Sequence, residues 1–331
     1  MTIAIIASNS FSGSALVDYL LSKTDDKILG FNRSPEYPAV MLPYLHRRER
    51  PGRFSFYHLD LNTKLPEIME VLDREKPRYV INFAAQGEVA QSWNYPVKWF
   101  QTNAVGVVGI MDALSGRDYL ERFVQISTPE VYGSCNHQKE DPTLFNPSSP
   151  YAASKGSADL FCTCLHKVKQ FPSITIRSTN VYGAHQQLYR IIPRTVIYRK
   201  LEKIIELHGG GQAVKSYLHI RDVCHGIYLA MTKGIAGGLY HFGPEGGGIS
   251  IRNLVGLVCS ALGQSFDSAT RSIGERTGQD QAYILDWTKA KRELGWSPTV
   301  SLEEGIGEMI SWIHEGWGDI SKLPHDYIVR D

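Results

Sequence analysis

The chain has 331 residues, 43% hydrophobic and 21% charged, with 30 Gly and 16 Pro, a composition that excludes a disordered chain, a collagen-like repeat and a disulfide scaffold. Lys and Arg number 35 against 34 Asp and Glu, so there is no overall field to draw in nucleic acid or an anionic membrane, and neither is an expected partner. Five Cys, at 135, 162, 164, 224 and 259, are odd in number and lack C-x-x-C spacing, which predicts free thiols in a reducing compartment, not a disulfide or zinc framework.

The first eight residues, MTIAIIAS, are apolar but carry no basic leader or small-residue cleavage site, so they read as a buried strand. No run of roughly 18 apolar residues occurs elsewhere, and a soluble cytoplasmic protein is expected. Apolar, β-rich runs at 3–7, 28–32, 54–61, 79–84, 123–127 and 174–178 alternate with helix-period stretches at 14–22, 66–74, 96–115 and 150–170. That rhythm predicts an α/β fold on a doubly wound parallel sheet, with its ligand in the crevice at the carboxyl ends of the strands. The charge run His46-Arg-Arg-Glu-Arg50, between the second and third strands, reads as a solvated loop. Past residue 180 the rhythm loosens. A helix near 194–200, Gly-rich turns at 208–211 and 243–248, and further signals at 214–230 and 239–242 suggest a smaller lobe interleaved with returning pieces of the sheet. The expected division is a sheet domain over 1–178, with return segments near 214–242, and a lobe over 179–331.

Ile6-Ala-Ser-Asn-Ser-Phe-Ser-Gly13 joins the first strand to the first helix, where a G-x-x-G-x-x-G loop would let backbone amides reach a pyrophosphate. Only Gly13 of the three glycines is present. Ala7 and Ser10 fill the other two positions, beside Phe11; both are small, and the Ser10 hydroxyl is a candidate phosphate donor. The second strand ends Asn32-Arg33-Ser34, without the carboxylate that an NAD site uses for the ribose 2′-hydroxyl. Arg33 and Ser34 suit a 2′-phosphate, so NADP is expected ahead of NAD. Asp60 and Leu61, at the end of the third strand, are candidates for the adenine edge.

Tyr151-Ala-Ala-Ser-Lys155 opens a helix, and its i, i+4 spacing puts phenol and ammonium on one face. A neighbouring cation favours the phenolate, giving a base that can take a proton from an alcohol as hydride leaves. Ser127-Thr-Pro-Glu-Val-Tyr-Gly133 begins at the carboxyl end of the fifth strand, on the same edge of the sheet.

With these motifs in place, the sequence resembles the extended short-chain dehydrogenase/reductases, and within them the nucleotide-sugar 4,6-dehydratases such as the dTDP-glucose and GDP-mannose enzymes. The resemblance also runs through Asn82-Phe-Ala84-Ala85-Gln86, Gln101-Thr-Asn103, Arg177-Ser-Thr-Asn180-Val-Tyr-Gly183, Ile191-Ile-Pro193, Ser216-Tyr-Leu-His-Ile-Arg-Asp222, Arg276-Thr-Gly-Gln-Asp280 and Glu293-Leu-Gly-Trp-Ser-Pro298. It implies a Rossmann-like domain that holds a tightly bound, recycled NADP or NAD, with Ala84, Ala85 and Asn103 among its contacts. It also implies a lobe that holds a nucleoside diphosphate sugar, and a homodimer packed through the helices at 96–115 and 150–170, in which Cys162 and Cys164 are packing residues.

The resemblance implies a role for each catalytic candidate. Tyr151 deprotonates the sugar 4-hydroxyl, Lys155 anchors the nicotinamide ribose, Thr128 bonds the 4-oxygen, and Glu130 removes the C5 proton before the C6 hydroxyl departs as water. A 4-epimerase has no use for the carboxylate, so Glu130 argues for elimination or decarboxylation. Pro129 stands where many such dehydratases carry an Asp that protonates the departing hydroxyl. Dehydratases of the GDP-mannose branch also lack that Asp, and a single Glu can hold the C5 proton and pass it on. A UDP-glucuronate decarboxylase, a 4-epimerase and, of another class, a non-catalytic NAD(P)-sensing protein are the alternatives.

Arg276, Lys215 and Arg190 match positions that lie near the diphosphate in the resembling enzymes. Lys215 stands where Arg is usual, which keeps the charge without the bidentate fork. Asn180 is a further candidate donor to phosphate or sugar. Gln86 and Glu88 take the places nearest the sugar, Glu88 where a His is familiar.

Overall fold

In the computed structural model, residues 1–47, 52–274 and 282–328 are described. The first half of the chain runs β1 (Thr2–Ile6), α1 (Phe11–Lys23), β2 (Lys27–Asn32), β3 (Phe54–His58), α2 (Leu65–Glu75), β4 (Tyr79–Asn82), α3 (Val89–Asn94), α4 (Pro96–Phe100), α5 (Val107–Leu114), β5 (Arg122–Ile126), β6 (Cys135–Gln138), α6 (Pro150–Lys169) and β7 (Ser173–Ser178). The second half adds β8 (Asn180–Tyr182), α7 (Ile191–Lys200), β9 (Ile205–His208), β10 (Val214–Lys215), β11 (Tyr217–His219), α8 (Ile220–Lys233), β12 (Leu239–Phe242), β13 (Ile249–Ser250), α9 (Ile251–Ala261) and β14 (Thr270–Ile273), then β15 (Tyr283–Leu285).

Seven strands form one sheet in the order β12-β7-β5-β4-β1-β2-β3, and every pairing in it is parallel. The central strands β1, β2 and β4 are short apolar runs buried on both sides, as a sheet covered by helices on each face requires, while edge strand β3 is only partly buried. One face packs Leu16, Val17 and Leu20 of α1 with Val223 and Ile227 of α8. The other packs Ile68 and Leu72 of α2 with Ile110 and Met111 of α5 and Ala158 of α6. The doubly wound α/β fold is therefore as its periodicity predicts. α8 and β12 return to the sheet, whereas β10 pairs with β13 and β11 with β8 outside it. A separate core under α7 and α9 holds the lobe together.

The stretch at 96–115 departs from a single α-helix. Residues Gln101–Gly106 form a π-helical turn between α4 and α5; such turns occur mostly as local bulges near functional sites. Here the extra residue per turn brings Asn103 fully inside. The third strand stops at His58, three residues short of the expected end, because Asp60 and Asn62 close a turn there. All five Cys are free thiols. Cys162 is buried, its Sγ accepting from Thr175 Oγ1, and Cys164 is exposed on the single chain. The side chains of the charge run at 46–50 lie outside the described residues.

Candidate active site

The carboxyl end of β1 leads into a loop that keeps the backbone path of a glycine turn without its first glycine. Ala7 adopts φ 64°, in the left-handed region that glycine ordinarily occupies. The Ser10 hydroxyl donates to the Ala7 carbonyl at 2.7 Å and accepts from the Gly13 amide at 3.1 Å, capping α1. Its one proton is therefore spent inside the loop. That corrects the expectation of a phosphate-donating Ser10 and leaves the unpaired first-turn amides of α1 as the anion donors. Gly13 is irreplaceable on steric grounds, since a Cβ there would lie 2.3 Å from the Ala7 carbonyl oxygen. Phe11 is buried beneath the loop. These features fit a dinucleotide: a tight strand-to-helix turn, a glycine where nothing larger fits, and a helix N-terminus aimed at the crevice.

At the end of β2 the Asn32 carboxamide accepts from the Ser34 amide at 3.1 Å and its hydroxyl at 2.8 Å. Ser34 is thus engaged with Asn32. Asp60 accepts from the Asn62 amide at 2.9 Å, next to buried Leu61. Beyond β4, the Ala84 amide donates to Asn82 Oδ1 at 3.1 Å, and Ala85 is exposed. Asn103 grips Gln86 from both sides: its Oδ1 accepts from the Gln86 amide at 2.7 Å and its Nδ2 donates to the Gln86 carbonyl at 3.1 Å. The same Nδ2 reaches Ser154 Oγ at 3.0 Å. Asn103 therefore ties the β4 loop to α6.

Thr128 follows β5 and caps a short turn over Pro129–Tyr132, accepting from the Glu130 amide at 3.3 Å. Pro129 is well placed to begin that turn, where an amide proton would go unused. Ser149 caps α6 by accepting from the Ala152 amide at 3.2 Å, which sets Tyr151 in the first turn. Desolvation raises the Tyr151 phenol well above its ordinary value and the Glu130 charge adds to this, while a Thr128 hydrogen bond and the Arg190 charge act the other way. Thr128 thus reaches the Tyr151 phenol, and Glu130 lies within electrostatic reach of it. Lys155 is buried and donates from Nζ to the Ile126 carbonyl at 2.6 Å. Burial lowers it to about 8, with the Asp159 charge opposing the fall. The Arg190 charge also favours the Tyr151 phenolate.

Arg190, at the N-terminus of α7, pairs with Glu88 at 3.5 Å. Glu88 itself sits at φ 70°. This pair brings the lobe to the loop after β4, and Arg190 lies within electrostatic reach of both Tyr151 and Glu130. In the lobe, Lys215 Nζ stands 4.5 Å from the centre of the Tyr283 ring, and the Tyr283 hydroxyl donates to Asn180 Oδ1 at 2.9 Å. Asn180 Nδ2 is buried without a partner among the described residues. Arg276 lies outside the described residues.

Several residues of the site escape sequence reasoning. Asp159 Oδ2 accepts from Ser127 Oγ at 2.6 Å and from Arg177 Nε and Nη2 at 3.1 and 2.8 Å, all in the interior. Arg177 also stacks on Tyr132, whose hydroxyl meets His241 Nε2 at 2.8 Å. Asp159 lies at i+4 from Lys155, a spacing that could have flagged it. Tyr283 leaves no comparable local signal.

Comparison with known proteins adds an independent line. A family model described as GDP-mannose 4,6 dehydratase matches residues 9–309. The dTDP-glucose 4,6-dehydratase of Streptomyces antibioticus is 35% identical over 251 residues, covering 74% of this chain and 73% of its own. The Escherichia coli enzyme of the same name is 28% identical, covering 94% and 93%. A crystal structure of dTDP-glucose 4,6-dehydratase from Streptomyces venezuelae, with NAD and TYD bound, superposes with a TM-score of 0.86 at 29% identity, over 96% of this chain and 98% of that one.

Proposed function

Because the chain belongs to the GDP-mannose 4,6 dehydratase family, a branch of the extended short-chain dehydrogenase/reductases, we propose that it is an NAD(P)-dependent nucleotide-sugar lyase that turns an NDP-hexose into an NDP-4-keto-6-deoxyhexose. The observation that carries this reading beyond the family is that the Glu130 charge acts on the Tyr151 phenol to which Thr128 is hydrogen-bonded, at the end of β5. An oxidation needs the Tyr and the Thr; the carboxylate is needed only if the oxidised sugar then loses a group.

A nicotinamide dinucleotide held by the β1–α1 loop and the end of β2 would supply the acceptor for the C4 hydride and the donor that delivers it to C6. Tyr151 takes the 4-hydroxyl proton while Thr128 bonds the same oxygen. The 4-ketone acidifies the C5 hydrogen, and Glu130 removes it. Pro129 has no proton to offer, so the acid formed on Glu130 protonates the C6 hydroxyl as it departs as water, and when hydride reaches C6 the C5 carbon takes up a solvent proton that balances the one Tyr151 releases. Asn103 acts through Gln86 and α6 and is a positioning residue. Arg190, paired with Glu88, supports the electrostatics at the reacting end.

For the cofactor we infer NADP ahead of NAD, since Arg33 occupies the strand end where a ribose-binding carboxylate is absent. The partner is a second copy of the chain: Val97, Phe100 and Val105 on the helical run before β5 are 79%, 38% and 57% exposed, and Leu160 and Val168 on adjoining α6 are 53% and 76% exposed. Packing between copies would cover this apolar surface. Free thiols suit the cytoplasm, and among the described residues no helix is long and apolar enough to cross a membrane.

Incubation with GDP-, UDP-, CDP- and dTDP-hexoses, followed by mass spectrometry, tests the reading. Loss of one water is expected. Carbon dioxide release from a uronic acid sugar would instead assign decarboxylation. Glu130→Gln is expected to keep the dinucleotide yet reduce water loss by about 10²–10⁴-fold; undiminished turnover refutes the assigned role.

A further inference from the structure

The lobe contains a side-chain cluster whose parts come from three separate strands and whose centre is a residue with no assigned part in the reaction. Tyr283 lies on β15, Asn180 on β8 and Lys215 on β10. The Tyr283 hydroxyl donates to Asn180 Oδ1 at 2.9 Å, and its ring faces Lys215 Nζ at 4.5 Å from the centroid. Tyr283 is 5% exposed and Lys215 9%. We propose that Tyr283 is the positioning residue of a diphosphate clamp, holding Lys215 by its face and Asn180 by its hydroxyl so that both donors engage the diphosphate of one nucleotide sugar. The inference rests on the dehydratase reading and extends it to a residue that reading does not use.

Three observations support it. An ammonium on a four-carbon stem lacks the preorganised fork of a guanidinium, and an aromatic face beneath it restores direction. The Asn180 amide is oriented by the bond to its oxygen, which leaves Nδ2 as a buried donor with no partner among the described residues. A buried donor kept unspent is costly unless a ligand completes it. Finally, Tyr283 lies within electrostatic reach of Glu130 and Tyr151, so the clamp adjoins the reacting end of the crevice and a diphosphate held there leaves its sugar beside those groups. A purely structural Tyr283 would staple β15 to β8 without distinguishing one phosphate from two.

The test is calorimetric binding of UDP, GDP and dTDP, each against its monophosphate, to the full chain carrying its own dinucleotide. For the nucleotide that the unaltered protein holds, Tyr283→Leu is expected to weaken diphosphate binding about tenfold or more by removing both face and hydroxyl. Tyr283→Phe, which keeps the face, is expected to weaken it about three- to tenfold, with monophosphate binding changed less than twofold in both. Asn180→Ala should match Tyr283→Phe, and the two together should cost less than their product. Diphosphate affinity within twofold of the unaltered protein in Tyr283→Phe overturns the clamp, and so do equal losses for mono- and diphosphates. Should Tyr283→Leu fail to fold, Tyr283→Phe and Asn180→Ala decide by the same criteria. If the unaltered protein binds no nucleoside diphosphate, the dehydratase reading itself falls; if it binds one and the variants bind equally well, only the clamp falls.

Discussion

Replacing Asp159 by Asn removes a charge from the centre of the catalytic scaffold while keeping its shape. Asp159 and Arg177 have side chains 3% and 1% exposed, and three of the donors around them converge on one carboxylate oxygen. An amide oxygen can still accept from Ser127, but the Arg177 guanidinium is left buried without a counter-charge, a change that costs about 3–5 kcal/mol. With an unfolding entropy of about 2.1 cal/mol/K per residue over 331 residues, that loss lowers the melting temperature by about 4–7 °C. Activity changes as well. The Asp159 charge is what supports the Lys155 cation, which burial has brought to about 8; without that charge Lys155 loses its proton at lower pH, and the alkaline limb of the pH–rate profile moves to the acid side. The assays are a thermal melt and a pH–rate profile on the dinucleotide-bound protein. Replacing the pair by Asp159→Leu with Arg177→Met should recover much of the stability without returning the alkaline limb. A melting temperature within about 1 °C of the unaltered protein, or an alkaline limb that stays in place, refutes the reasoning.

Two further outcomes are expected. His241 is fully buried, with Nδ1 toward the Gln138 and Asp286 carbonyls and Nε2 toward the Tyr132 hydroxyl; desolvation, then Arg177, lowers it to about 3 from the model-peptide 6.5. Between those values the unfolded chain binds a proton that the folded chain refuses, so stability falls with pH by up to about 1.4 kcal/mol per pH unit below pH 6.5; denaturant titrations of His241→Gln should show a shallower acid slope, and an unchanged slope counts against the assignment. Ala7→Gly relieves a left-handed backbone that costs a Cβ-bearing residue about 1–2 kcal/mol, less about 0.4–1 kcal/mol from greater freedom in the unfolded chain, so a slightly higher melting temperature with undiminished dinucleotide affinity is expected; a lower one would show that the Ala7 methyl packs usefully.

The sheet was legible because each strand is a short apolar run and each covering helix has a clear period. The placement of the four catalytic candidates was legible to the extent that Tyr151 and Lys155 share a helix and Thr128 and Glu130 follow one strand end. What stayed hidden depends on distance along the chain. Asp159 and Arg177 lie on different elements, and neither residue type is expected in an interior until its partner is known. Tyr283 reaches Asn180 across 103 positions. The degenerate first loop was read through residue types, but its geometry is set by φ at Ala7, which side-chain identity alone would have placed elsewhere. The single helix expected at 96–115 failed at Asn103 for a similar reason: apolar periodicity does not report a polar residue that turns inward to bond Gln86.

That inward Asn103 makes surface and interior parts of one strut. The helical run that carries it also bears Val97, Phe100 and Val105 on its outside, while its amide braces both the sugar-side loop and the helix of Tyr151. In the proposed dimer, pressure on that outer face would pass through one carboxamide to the Tyr151 helix, so separating the two copies would loosen the chemistry before it unfolded either one.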